Sequence, residues 1–218
     1  MAYRFEVPTA DQVSQWSTDG TFNQLWEDSK DYVNSGNQPF AEDVTDDQKR
    51  DYFITRFQAT YSGFSQQPAN QTLSMVAAYD DEKLIGIYMG YINSDDTSWN
   101  LVLTLFSPNK AGSRGYIYDD GYTSGLVALW KSLSCDRLII WTSLGTQMAF
   151  RAASNNTYNK LSNCYEPVII EENVELHHYY KRPAFESPPD FEGNSVTVPE
   201  EVVYDYYTTE NKFTLVFK

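Results

Sequence analysis

The sequence predicts a mixed α/β (α+β) fold with helices on both faces of a mixed sheet. Three observations carry this. Three β-rich runs joined by short polar turns lie between Leu73 and Phe106, an amphipathic helical run follows, and a further apolar run, Arg137–Trp141, comes directly after that helix. Short turns join antiparallel neighbours, whereas a strand–loop–helix–strand unit suits a parallel crossover. An antiparallel meander should therefore feed a crossover unit spanning Leu101–Trp141, and that unit organises the chain.

The elements follow in order. Tyr3–Val7 alternates as a short first strand stopped by Pro8. Thr9-Ala-Asp-Gln12 has capping-box spacing, in which a Thr hydroxyl takes an orphan N–H and a Gln side chain reaches back. It predicts a helix through Trp16, with another from Thr21 to about Val33. Thr45-Asp-Asp-Gln48 repeats the signature, and Phe53, Phe57, Tyr61 and Phe64 then fall at helical spacing as a core-packing stripe. Leu73–Tyr79 and Leu84–Ile92 form a hairpin across a four-residue charged turn, Asp80–Lys83. Gly86 and Gly90 in its second strand mark a bulge or a close backbone approach. Trp99–Phe106 is the third strand of the meander.

In the crossover, Leu126, Leu129, Trp130 and Leu133 fall at i, i+3, i+4 and i+7, so one face of the helix packs on the sheet. Asp119 or Asp120 can cap its start. After Trp141 a turn at Ser143–Gly145 leads to a helix over roughly Thr146–Ala153, and Tyr165–Glu171 is a strand. Beyond the Pro-rich linker Arg182–Pro189, Val196–Tyr207 and Phe213–Phe217 read as a closing strand pair. Residues 1–180 are expected to form the main domain, with 181–218 as an extension packed on it.

Composition bounds the function. Against 16 basic residues stand 30 acidic ones, a formal charge of −14. Nucleic-acid binding draws on clustered Lys and Arg, so no nucleic-acid partner is expected. No apolar run approaches the roughly 20 residues that span a bilayer, so no membrane insertion is expected. The N-terminus lacks a signal peptide's charged and apolar regions, which places the protein on the unsecreted side. Cys135 and Cys164 are then reduced thiols. The 17 tyrosines and the polar loops suit a protein partner or a homo-oligomer, because a rigid ring with a polar tip favours interfaces. His177-His178 are adjacent, and adjacent strand residues point to opposite faces, so they make no two-ligand metal site and no metal is expected.

The element order resembles the GNAT N-acetyltransferase fold over about Tyr3–Tyr180. The residues that carry the resemblance are Leu105-Phe-Ser-Pro108 ending the fourth strand, the glycine-bearing loop before the Leu126 helix, Leu138-Ile-Ile-Trp141 as the fifth strand, and Tyr158-Asn-Lys-Leu161 before a later strand. In that family the splayed fourth and fifth strands hold acetyl-CoA. A Gln/Arg-x-x-Gly-x-Gly/Ala loop sets consecutive N–H groups on the pyrophosphate. The resemblance implies backbone cofactor contacts at Gly112, Ser113 and Gly115, and Tyr158 as the acid for the leaving thiolate. The loop departs from the pattern. Arg114 stands where Gly or Ala belongs, and Tyr116, Tyr118, Asp119 and Asp120 add bulk and negative charge. The leading expectation is therefore a catalytically degenerate GNAT-fold protein with no cofactor, serving as a structural or interaction component. It resembles proteins carried by tailed bacteriophages, which would place it in the cytoplasm of an infected cell or in the virion. The alternative is a CoA-dependent N-acyltransferase with a divergent loop.

Overall fold

The computed structural model describes residues 3–32, 43–52, 54–55, 71–106, 120–143, 161, 163–182, 184–187, 189 and 192–218. Strand β1 (Tyr3–Glu6) is followed by helices α1 (Ala10–Trp16) and α2 (Thr21–Tyr32), and residues 46–52 form helix α3. Both capping boxes are made. The Thr9 N–H donates to Gln12 Oε1 at 2.7 Å and the Gln12 N–H to Thr9 Oγ1 at 3.2 Å. Thr45 and Gln48 exchange the same pair at 2.8 and 3.3 Å. Phe53, Phe57, Tyr61 and Phe64 lie outside the described residues.

Strands β2 (Gln71–Asp80), β3 (Lys83–Asn93) and β4 (Ser98–Phe106) form the expected meander. Its first turn is tighter than the four residues expected. Asp80 pairs with Lys83, leaving Asp81 and Glu82 as a two-residue loop, and Asp81 takes the left-handed conformation at φ 54°. Helix α4 (Asp120–Ser132) crosses to β5 (Arg137–Ser143), which runs parallel to β4. The helix begins at Asp120, where the sequence offers a capping residue. Gly125 seats it: a Cβ there would sit 2.5 Å from Phe5 Cε2, so only glycine lets α4 settle on β1.

The C-terminal region corrects the expected closing pair. Val196–Tyr207 and Phe213–Phe217 are not partners. Glu201–Val216 is one continuous strand, β9, paired with β5 on one side and β6 (Ile169–Arg182) on the other. The polar run from Thr208 to Lys212 looks like a turn locally, but partners on both edges hold it extended. Of the expected strand Tyr165–Glu171, Tyr165 keeps only a bridge to Phe217, and β6 starts beyond Pro167, which has no N–H for a ladder. Short strands β7 (Phe185–Glu186) and β8 (Thr197–Val198) pair separately.

The main sheet has the order β1-β2-β3-β4-β5-β9-β6, and β4–β5 is its parallel pair. One face carries α1 and α2, whose Val13, Trp16, Phe22 and Leu25 pack on Met75, Ile87 and Met89. The other carries α4, whose Tyr122, Leu126, Val127 and Trp130 pack on Val76, Tyr88, Trp99, Leu138 and Phe213. At the centre, Trp130 stacks on Phe217 at 5.5 Å and meets Trp99 at 5.2 Å. Helices thus cover both faces, as the sequence predicts.

Candidate functional site

β4 and β5 pair only over Ser98–Leu101 and Arg137–Ile140. Both strands continue, β4 to Phe106 and β5 to Ser143. Each stays paired on its far side, Phe106 with Gly86 and Ser143 with Glu210. Their facing edges therefore part after Leu101 and Ile140, and a V-shaped cleft opens in the middle of the sheet. Among the described residues no strand lies between these edges.

The cause is a β-bulge. Met89 pairs with Leu103 and Gly90 with Leu101, so Val102 is one residue too many for β3. A bulge bends its strand and increases its twist, which turns β4 away from β5. Gly90 makes the approach possible, because a Cβ there would lie 2.1 Å from the carbonyl oxygen of Asn100. The sequence marks Gly90 as a bulge or close approach, and it is both. Below the parting point β4 is pinned by a buried relay: Asn100 Nδ2 donates to Ser98 Oγ at 2.7 Å, and the Ser98 hydroxyl donates to Asp96 Oδ1 at 2.5 Å.

Helix α4 aims its N-terminus at the open end. Its last turn leads through Cys135 and Asp136 into the paired end of β5, where the Asp136 N–H donates to the Thr97 carbonyl at 3.1 Å. Thirteen residues of helix span about 20 Å, so Asp120 lies toward the strands' C-terminal ends. There the positive end of the macrodipole favours an anion. Tyr122 in the first turn hydrogen-bonds Tyr88 of β3, hydroxyl to hydroxyl at 2.6 Å, and packs edge-on against Tyr3 and Phe5. Burial pushes the Tyr88 phenol up to about 12, and its hydrogen bond to Tyr122 clamps the helix start. Tyr88 and Tyr122 were not singled out in the sequence. The period of the strand and the i, i+4 relation of Tyr122 to Leu126 are the signals that place them on the core side.

A second concavity, of about 320 Å³, opens on the α1–α2 face beside the β2–β3 turn. Trp16, Tyr79 and Leu84 wall it, with Gln24, Glu82 and Lys83 at its rim. Lys83 is held by Asp28 at 2.5 Å, and the Arg4 guanidinium lies 3.9 Å over the Tyr79 ring. The Gly86–Phe106 pairing puts this pocket at the same end of the sheet as the open cleft.

Of the residues predicted to act, Gly112, Ser113, Gly115 and Tyr158 lie outside the described residues, as do Arg114, Tyr116, Tyr118 and Asp119. His177 and His178 point to opposite faces of β6, stacking on Tyr207 and Tyr206 respectively. Among the described residues no group of three or more His, Cys, Asp or Glu could hold a metal. Cys135 and Cys164 are buried free thiols, and burial raises the Cys135 pKa to about 11, well away from a reactive thiolate. No described helix is long and apolar enough to cross a membrane.

No protein-family model matches the chain. No curated protein sequence matches it either. Solved structures similar to it include an acetyltransferase of Salmonella typhimurium that modifies the N-terminal serine of a 50S ribosomal subunit protein, at 10% identity and a TM-score of 0.44, over 100% of this chain and 96% of that one. A spermidine N-acetyltransferase from Vibrio cholerae, in complex with CoA and spermine, is similar at 9% identity and a TM-score of 0.40, over 98% and 95%. A tandem GNAT protein of the clavulanic acid biosynthesis pathway matches at 12% identity and a TM-score of 0.44, over 81% of this chain, which spans 47% of that protein's length.

Proposed function

We propose that the chain binds an acyl-CoA in the β4–β5 cleft and acts as a GNAT-type N-acyltransferase. The observation that carries this is the end of β4–β5 pairing at Leu101 and Ile140, with both strands continuing and, apart from the bulged Val102, paired on their outer sides. The cleft edges present backbone N–H and C=O groups that β4 and β5 do not give one another beyond Leu101 and Ile140 and that can take a ligand as partner. An extended, amide-bearing arm such as pantetheine supplies them. When bound, acyl-CoA supplies an activated thioester. The chain's own part is to hold that arm between the strands, to face its phosphates with the N-terminus of α4, and to keep that helix fixed through Tyr122 and Tyr88. The pocket beside Trp16, with the exposed Glu82 carboxylate at its rim, suits a cationic amine as acceptor, which would share that carboxylate with Arg4. The overall negative charge draws such a substrate in.

Thermal unfolding with added acetyl-CoA tests the binding step. A ligand at 100 times its dissociation constant stabilises by about 2.7 kcal/mol, roughly 5 °C or more in a chain of this size. An unchanged midpoint at millimolar acetyl-CoA refutes the proposal. Free-thiol release in the presence of polyamines or peptide amines then tests transfer.

A second reading keeps the fold without the chemistry: a catalytically degenerate structural or interaction component, of the kind carried by tailed bacteriophages. The loop sequence favours it, since Arg114 replaces a small residue and Asp119 and Asp120 would repel a pyrophosphate at that helix start. It predicts no acetyl-CoA shift at all.

A further inference from the structure

Beyond Glu210, β9 leaves the body of the sheet. It pairs with β5 only as far as Glu210, while β6 and β9 continue together from Val174–Glu210 to Arg182–Glu201. This two-stranded arm carries Tyr179, Val202, Val203, Tyr204, Tyr206 and Tyr207, each 39% to 57% exposed. An isolated two-stranded ribbon is marginal in water, and three or more strands are needed for independent stability. Among the described residues β6 is also the last strand of the sheet, so its outer edge is open to pairing.

We propose that this edge pairs with the β6 edge of a second copy, antiparallel across a two-fold axis, to make a four-stranded ribbon. The charge order along β6 selects this occupant. Glu171, Glu172 and Glu175 lie at one end and Lys181 and Arg182 at the other. Within the chain Lys181 also reaches Glu200 and Arg182 reaches Glu201, each at 2.8 Å, and Glu171 reaches Lys212 at 3.1 Å, so Glu175 and the partner's Lys181 carry the contrast. Antiparallel self-pairing sets the acidic end of one copy against the basic end of its partner, twice, as an isologous interface requires. The register follows from the bulges. Glu172 and Asn173 together oppose Asn211, and Asn173 takes φ 55°, whereas Val174–Arg182 carries no extra residue on β6. Centring on His178 uses that whole stretch. It places Glu175 opposite Lys181 and His177 opposite Tyr179, all on one face. The stack of His177 on Tyr207, 4.2 Å between centroids, then extends across the axis onto Tyr179 of the other copy.

Sedimentation velocity between about 1 and 100 µM should show a dimer. Glu175→Lys sets like charges opposite one another at two symmetric places and should weaken the dimer about tenfold or more, and Glu175→Lys with Lys181→Glu should restore it. Independently, His178→Cys should form an intermolecular disulfide on mild oxidation. Directly opposed antiparallel residues are about 4.5–5.5 Å apart at Cα, inside the range a disulfide spans. A protein monomeric across that range overturns the proposal and leaves the arm to another partner. So does a dimer indifferent to the charge exchange and not cross-linked at 178. Acetyl-CoA binding is read separately, so failure of either proposal leaves the other standing.

Discussion

Within β9, two halves of a single strand meet opposite surroundings. Phe213 and Leu215 are buried between β5, β6 and the α4 layer, whereas Glu201–Tyr207 are exposed along their whole length. Both halves are rich in β-branched and aromatic residues, so propensity does not separate them. What separates them is neighbours: the lower half has a strand on each side and a helix above it, and the upper half has β6 alone. Asn211 marks the border. Its buried side chain accepts the Asn173 N–H at 3.0 Å, which stabilises the bulge where the arm departs. The lesson is that an element's stability contribution here follows the number of layers on it, and substitutions in the two regions should differ accordingly.

The largest contrast is expected at Trp130. Truncation to Ala empties the space among Trp99, Tyr88 and Phe217, and should cost about 3–5 kcal/mol in urea unfolding. Gly90→Ala should follow, at about 1–3 kcal/mol, because its Cβ meets backbone that cannot rotate away. It also acts on the cleft, since relief of the clash must separate β3 from β4 at the bulge. Acetyl-CoA affinity, measured by calorimetry, should fall with stability.

A smaller effect is expected for Tyr88→Phe, which leaves the Tyr122 hydroxyl without this partner and should cost about 1–2 kcal/mol. The same residue gives a pH signature. In the folded chain its phenol titrates near 12, against 10.0 when unfolded. Below pH 10 both states hold the proton and nothing changes. Between about pH 10 and 12 the unfolded state releases it first, so stability falls by about 1.4 kcal/mol per pH unit. Tyr88→Phe should remove that share of the alkaline slope. The smallest effect belongs to the arm. Tyr206→Ser and Tyr207→Ser in the monomer should each shift stability by no more than about 0.5 kcal/mol, while a loss comparable to Trp130→Ala would erase the contrast.

Legibility in the sequence follows the range of the interaction involved. The two capping boxes depend on residues three apart, and both are made as read. The meander and the α4 face depend on period alone and were also legible. The helix start was legible too, through Asp119 or Asp120 as its cap. The continuity of β9 was not, since Thr208–Lys212 is turn-like until partners on both edges hold it straight. The cleft falls between these cases. Gly90 pointed to a bulge, but which strand carries the extra residue, and which pairing it ends, is a property of the β3–β4 register and not of either strand alone. The loop that would meet a pyrophosphate, with Gly112, Ser113 and Gly115, lies outside the described residues. Its sequence argues against phosphate while the strands around it argue for a ligand.

That opposition is settled most directly by amide resonances of the isotope-labelled protein titrated with CoA. A ligand in the cleft should shift the N–H signals of Val102–Phe106 and Trp141–Ser143, and leave those of Glu201–Tyr207 in place. Unmoved cleft signals at millimolar CoA, or shifts confined to the arm, would contradict the account.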